Sequence, residues 1–406
     1  MNRPVAPVLV AILFVTSLFA VPGGALGAAE ASGDPRPVQA AAVRPPQGTA
    51  MVQDTVTTVN TTRMVHLDRV ETRGFGTVSL SVTDAIRTQT GTTEIRLDRY
   101  AVEKRLAMVA PENRTRVLRA ALNRSAARIR NLAEREREAR KRLRTGSIGI
   151  DRYLAVLGSV NREIRAVEGY LEHLEQITDA EAIEDRVNAL QTNTARYIGP
   201  VSNDLGNALV RGATSDRVWL AVAEEGFVVA AIREGEYVRE ITLTTARDRI
   251  VGGINLDAAQ ARISELYPWA WAHKGDVSIN TVGEDVFRFQ LSHDHGELTA
   301  LLDTSAGNVY REIQQKTLAR LPVAPGPAAT SENLTLSISA LDPGTPLRVQ
   351  VTNATGARVT ASVWIDGTSV GRTGPSSGVW ALTPAGNFTV TARAGNRTVE
   401  LVVDPR

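Results

Sequence analysis

Cysteine is absent from the 406-residue chain, and lysine nearly so. Without thiols there is no disulfide framework, no thiol nucleophile and no cysteine behind a leader to carry a lipid. Packing, ions or glycans must then hold each module together. Lysine stands only at Lys104, Lys141, Lys274 and Lys316, so arginine supplies nearly all the positive charge. A guanidinium keeps its charge at any pH and presents a planar fork of donors. The net charge is only +2, so overall charge gives no argument for nucleic acid. Also missing are a Gly-x-Ser-x-Gly elbow, a His-Glu-x-x-His pair and a phosphate-cradling glycine loop. No catalytic residue and no cofactor is expected. Glu224 and Glu225 lie at a turn, where solvated charge is the ordinary explanation. The end of the chain, 402–406, carries no hydrophobic run, so no C-terminal membrane anchor is expected.

The beginning is more informative. Asn2 and Arg3 precede an apolar stretch, 8–21, broken only by Thr16 and Ser17, and small residues follow at 23–29. That order is expected of a secretory signal peptide over 1–28, cleaved between Gly27 and Ala31. The other reading is an uncleaved anchor, for which the run is short against about 20 residues. The expected location is extracellular or cell-surface associated. An Ala/Pro/Gly-rich disordered linker should follow over 29–50. Asn-x-Ser/Thr acceptors for glycans stand at Asn60, Asn113, Asn123, Asn333, Asn353, Asn387 and Asn396. Four of the seven fall in the last quarter, which suits an outward-facing, glycan-bearing module.

Residues 51–98 are rich in Thr and Val and read as short strands, among them 64–67 and 77–82. Helix is expected from Asp98 or Arg99, and Pro111 suits the first turn of a second one. Leu118, Leu122, Ser125, Ile129, Leu132, Glu136, Ala139 and Leu143 then alternate steps of four and three. The pattern breaks at 145–149 and resumes with Tyr153, Leu157, Val160, Ile164, Val167, Leu171 and Leu174, then Ile183, Val187 and Leu190. Heptads on both sides of a Gly-containing turn predict an antiparallel coiled-coil hairpin over 99–198. Folding at Ser147 would set Arg124 and Arg128 opposite Glu172 and Glu168, and Glu134 opposite Arg162. Most of the arginines thus have a carboxylate across the hairpin, so nucleic acid is not expected as a partner. Arg137, Arg140, Lys141, Arg142 and Arg144 face only Asp151 and form a basic tip. Such a tip suits anionic lipid headgroups or an acidic surface; its plain alternative is a solvated, salt-screened cap.

Downstream the sequence echoes itself. Gly235 to Ile241 reads Gly-Glu-Tyr-Val-Arg-Glu-Ile, and Gly307 to Ile313 reads Gly-Asn-Val-Tyr-Arg-Glu-Ile. A strand and a short helix precede each copy, so two α+β units, 199–253 and 254–320, are expected edge to edge. In the second, the helix Asp257-Ala258-Ala259-Gln260-Ala261-Arg262, the strand 286–291 and the ending Leu301 to Val309 resemble PepSY-type domains of exported proteins. That resemblance implies envelope binding or protease regulation and no defined activity. His293 and His295, two apart on a strand, are candidate metal ligands with His273 or Asp276 as a third. A hairpin turn built on Asp-His-Gly is the simpler reading of the same residues.

A linker, 321–331, leads to seven short strands over 332–406, the spacing of a β-sandwich. The stretches 356–367 and 384–392 resemble Ig-like or carboxypeptidase-regulatory-like domains, with Trp364 and Trp380 expected in the core. The order of modules, with Leu132 to Glu136 before the turn and Tyr153 to Leu157 after it, resembles exported multidomain proteins of halophilic archaea. No activity comes with that likeness. The chain departs from such proteins in charge, since they are usually acidic.

The fold class expected is therefore multidomain: a helical hairpin, duplicated α+β units and an all-β Ig-like sandwich. The expected function is a non-catalytic cell-envelope protein making structural or protein–protein contacts. The alternative is a PepSY-like regulator or inhibitor of an extracellular protease.

Overall fold

Among the described residues five α-helices come before most of the main sheet. Strand β1 (Thr72–Gly76) is followed by α1 (Val82–Met108), α2 (Pro111–Arg144), α3 (Ile150–Gln176), α4 (Glu181–Thr194) and α5 (Pro200–Arg211). The structure is a computed structural model describing residues 61–178, 180–211, 215–246, 253–283, 285–339 and 342–405. The expected signal peptide, the linker 29–50 and Asn60 lie outside the described residues.

All eight positions of the four-three pattern in α2 are buried, Ser125 and Glu136 included. So are the seven named in α3 and the three in α4. Burying each leucine or isoleucine contributes about 1.5–3 kcal/mol, against about 0–1 for an exposed ion pair. The apolar stripe therefore sets the register of the α2–α3 hairpin. Gly146, at φ +72°, closes the turn between them in a conformation that costs other residues more.

Helix begins earlier than expected. Residues 77–81 are irregular and α1 starts at Val82, where the Ser81 hydroxyl accepts from the Asp84 N–H at 3.4 Å. The stretch Thr88-Gln89-Thr90-Gly91-Thr92-Thr93 has poor helix propensity, and tertiary contacts override it. The Thr88 hydroxyl meets that of Ser159 at 2.7 Å, and the Gly91 carbonyl accepts from Arg128 at 3.0 Å. Segment 64–67 is irregular too; the first strand among the described residues is β1.

Strands β2 (Val218–Ala223), β3 (Gly226–Arg233) and β4 (Glu236–Leu243) form a meander. Helices α6 (Leu256–Leu266) and α7 (Pro268–Ala272) lead into β5 (Lys274–Val282), β6 (Val286–His293), β7 (Gly296–Asp303) and β8 (Asn308–Thr317). All pair antiparallel into one eight-stranded sheet in the order β1-β2-β3-β4-β8-β7-β6-β5. The two units thus join through β4 and β8, with Glu240 opposite Ile313 and Ile241 opposite Glu312.

That register decides how the sequence echo behaves in space. Side chains alternate along a strand and directly opposed residues share a face. Arg239, Ile241 and Glu312 therefore point to one face, and Glu240, Thr242 and Arg311 to the other. Tyr267 of the α6–α7 junction reaches the first face, and the N-terminus of α5 the second. The echoed Arg-Glu dipeptides present opposite faces, so the echo is not a rotational repeat.

On the α5 side, Tyr153, Leu157, Val201 and Leu205 pack on Leu220, Phe227, Val229 and Val238. On the other, Ala259, Ile263 and Tyr267 pack on Tyr237, Ile241, Phe289 and Leu291. Helices α3 and α5 approach until backbones touch: a Cβ on Gly158 would lie 2.7 Å from the Leu205 carbonyl oxygen, and one on Gly206 2.9 Å from that of Gly158.

The C-terminal module has eight strands. Strand β9 (Ala328–Ser331) lies within the stretch expected to be linker. It is followed by β10 (Leu334–Ser339), β11 (Pro346–Asn353), β12 (Ser362–Ile365), β13 (Thr368–Arg372), β14 (Val379–Leu382), β15 (Phe388–Ala394) and β16 (Arg397–Val403). They form two sheets, β14-β11-β10-β9 and β13-β12-β15-β16, with the core between them (Leu336, Val349, Val363, Phe388, Val390). Trp364 and Trp380 are half-buried and outside that core, contrary to expectation, because alternation gives the inner face to Val363, Ile365, Val379 and Ala381. Trp380 and Leu382 pack instead against the eight-stranded sheet's core. There the Tyr237 hydroxyl donates to the Gly344 carbonyl at 3.0 Å, and a Cβ on Gly344 would fall 2.6 Å from the Trp219 ring.

Candidate functional site

Two ion pairs sit at the β4–β8 seam, one on each face. Arg239 meets Glu312 at 2.9 Å and Arg311 meets Glu240 at 2.7 Å, all four side chains almost fully buried. Further bonds satisfy each carboxylate. Glu312 accepts from the Val65 N–H (2.9 Å) and the Tyr267 hydroxyl (2.7 Å). Glu240 accepts from the Val201 N–H (2.5 Å) and the Ser202 hydroxyl (2.7 Å) at the start of α5. Arg239 also donates to the Val65 carbonyl and Arg311 to the Ile198 carbonyl. Each pair ties a segment from outside the sheet onto it.

The expected basic tip is divided. Arg140 is 4% exposed and lies 3.3 Å from Glu136, itself 1% exposed. Arg140 also donates to the Glu224 carbonyl and the Thr244 hydroxyl, each at 3.0 Å, while the Tyr153 hydroxyl donates to Glu136 at 2.7 Å. Burial pushes the Glu136 carboxyl up, against the pull of Arg140, and pushes the Tyr153 phenol up as well. Arg144 pairs with Glu71 at 2.8 Å and Arg137 with Glu134. Lys141 and Arg142 are the exposed remainder. Nor do Arg124 and Arg128 meet Glu172 and Glu168. They pair with Asp98 (3.4 Å) and Glu94 (2.7 Å) of α1, the helix whose first half read as strand.

Trp269 gathers three histidines. Its ring stacks on His273 (4.3 Å) and on His295 (4.6 Å), and meets His293 edge-on at 5.6 Å. The His293 and His295 rings lie 6.3 Å apart at 90°, because His293 closes β6 while His295 sits in the turn. The His295 N–H donates to His293 Nδ1 at 3.2 Å, and His295 Nδ1 lies 3.0 Å from the Thr61 hydroxyl. Among the described residues no three His, Asp or Glu side chains are grouped to hold a metal ion. Nearby, Lys316 is 3% exposed, its ammonium 3.3 Å from the Thr62 carbonyl. Burial pulls Lys316 down to about 7, and pulls His293 and His66 down to about 4.

A pocket that sequence reasoning missed opens between α1, α3 and α5. It has a volume of about 390 Å³ and is walled by Arg96, Arg162, Arg165, Asn161, Asn203 and Asn207. Arg162 donates to Asn207 Oδ1 and Arg165 to Asn203 Oδ1, each at 3.3 Å. Asn203 Oδ1 also accepts from Asn161 at 3.0 Å. The Gly158–Gly206 contact fixes this wall by holding α3 and α5 together. The only readable signal was the spacing of Arg162 and Arg165, three apart, and of Asn203 and Asn207, four apart.

Of the acceptor asparagines, Asn123, Asn333, Asn387 and Asn396 are exposed, whereas Asn113 and Asn353 are half-buried. The Asn353 Oδ1 accepts from the Thr355 hydroxyl at 2.7 Å and the Ala357 N–H at 3.0 Å.

A helical layer, an antiparallel sheet covered on both faces and a separate sandwich define a multidomain α+β protein with an all-β C-terminal module. That module, 327–401, matches an archaeal fibronectin-III type-like domain, and 218–322 match a family of unknown function (DUF7094). Residues 1–215, more than half of the chain, match a domain of unknown function (DUF7096), and the chain belongs to that family. No curated protein and no solved structure matches it.

Proposed function

We propose that this protein is exported and works at the cell surface as a non-catalytic contact protein. The helical layer is its recognition face, and the fibronectin-III type-like sandwich is its outer, glycan-bearing end. One observation carries this reading: three buried arginines and three buried glutamates are used on one another. Arg239–Glu312, Arg311–Glu240 and Arg140–Glu136 clamp segments together, and these six charged groups are engaged in holding the fold. Such pairs favour one arrangement of surfaces, which suits a protein that presents them. Asn333, Asn387 and Asn396, all exposed on the sandwich, support the placing of glycans there.

Cell fractionation with protease shaving of intact cells tests the proposal. A processed chain in the envelope fraction, cleaved by external protease, is expected. A full-length chain dissolved in the cytosol would overturn it.

The second reading, a PepSY-like regulator of an extracellular protease, is favoured by one arrangement. Helix α6 is followed by a four-stranded antiparallel meander, β5 to β8. Recovery of one hydrolase from the envelope by the immobilised chain would select this reading, and recovery of lattice or lipid components the first.

A further inference from the structure

We infer that the pocket between α1, α3 and α5 is a binding site for a small ligand carrying at least two oxyanion groups. This inference is independent of where the protein works.

Several arginines elsewhere in the helical layer are matched by carboxylates: Arg124 by Asp98, Arg128 by Glu94 and Arg135 by Glu163. Arg96, Arg162 and Arg165 wall one cavity, and the side chains joining them there are carboxamides, with no acid on its wall. None of the three makes an ion pair among the described residues. Three cations around one concavity repel one another, and an anion between them turns that repulsion into attraction.

The carboxamides reinforce the preference. The Asn203 oxygen already accepts from Asn161 and Arg165, so what that side chain has left is N–H donation, and the Asn207 oxygen accepts from Arg162, which leaves its N–H groups free to donate as well. The Arg162 Nε is a buried donor without a partner. Guanidinium forks and amide N–H groups together suit carboxylate, phosphate or sulfate oxygens. Size narrows the ligand. At about 390 Å³ the cavity falls at the small end of ligand pockets, about 300–1,000 Å³. That is roomy for one inorganic ion and fits a compact molecule with several anionic groups. The wall is fixed in advance, because α3 and α5 are locked by backbone contact at Gly158 and Gly206.

Isothermal titration of the full chain with pyrophosphate and with citrate, at matched ionic strength in chloride, provides the test. Saturable binding at one site per chain is expected for at least one of them. The two arms separate phosphate from carboxylate ligands, and a sulfate titration adds the third chemistry. The Arg96→Gln/Arg165→Gln variant changes two exposed side chains and should weaken binding at least tenfold with an unchanged melting temperature. Should that variant melt early, Arg96→Gln alone is read instead, with a severalfold loss expected. Arg142→Gln, exposed and outside the pocket, should bind as the parent does. No saturable binding of any probe would overturn the site. So would an equal loss in Arg142→Gln, since that would reduce the effect to general charge.

Discussion

Arg311 and Glu240 meet at 2.7 Å in the middle of the eight-stranded sheet, 1% and 0% exposed. Their counterparts in the echo, Arg239 and Glu312, make the same contact on the opposite face. Replacing one partner leaves the other buried and uncompensated, which costs about 3–5 kcal/mol, whereas a well-packed apolar pair in place of both is often neutral. Glu240→Ala should therefore destabilise by about that amount, and Glu240→Leu/Arg311→Met should recover much of it. Chemical denaturation in a double-mutant cycle measures the difference.

A second expectation concerns the α3–α5 contact. Gly206→Ala places a methyl group 2.9 Å from the Gly158 carbonyl oxygen. Both helix backbones must part, at a cost of about 1–3 kcal/mol. The same denaturation experiment measures it, and oxyanion titration of the variant should show weaker binding because the pocket wall has moved.

Stability should depend on pH through His66 and His293. Burial, aided by Arg239 for His66 and by Lys316, His295 and His273 for His293, pulls both from 6.5 to about 4. Asp294 alone favours the His293 proton. Between these values the unfolded chain binds more protons than the folded one, so stability falls as pH drops from about 6.5 towards 4. Melting temperature followed across that window should decline, and less steeply in His293→Phe.

Lys316 gives a window on the alkaline side. Its folded-state value of about 7 lies below the ordinary 10.5, mainly through burial. The unfavourable contribution is full below about pH 7 and fades as pH rises towards 10.5. Lys316→Met removes it. The stability difference between variant and parent should be largest at pH 6 and should shrink steadily through pH 9.

One polar contact between the sandwich and the sheet can be isolated. Tyr237→Phe deletes the bond to the Gly344 carbonyl at a cost of about 0.5–1.5 kcal/mol. Hydrogen exchange should rise around 342–345 and little elsewhere.

Helices with strict periodicity were legible: the pattern from Leu118 to Leu190 marks α2, α3 and α4 residue by residue. Helix α1 was not, because Thr88 to Thr93 lie in the Thr-rich stretch 51–98 that read as short strands until Gly91 and Thr88 are seen against α2 and α3. Its absence misdirected the charge reading, since Glu94 and Asp98 take the arginines assigned to Glu168 and Glu172. The seam was half legible. Arg and Glu in the middle of apolar strands, twice over, signal buried pairs, but which arginine meets which glutamate depends on register. Arg140 entered the tip because its exposure depends on Glu224 and Thr244, 84 and 104 residues away. The pocket needs three helices docked before Arg96 lies near Arg165, and local spacing carries no such information.

Strand β1 hydrogen-bonds along β2, and Glu240 of β4 caps the start of α5. The borders between the two families of unknown function therefore run through a continuous hydrogen-bonded ladder. Expressed alone, either portion would bare a raw strand margin, and Glu240 would lose the Val201 and Ser202 donors, so each would be prone to clump.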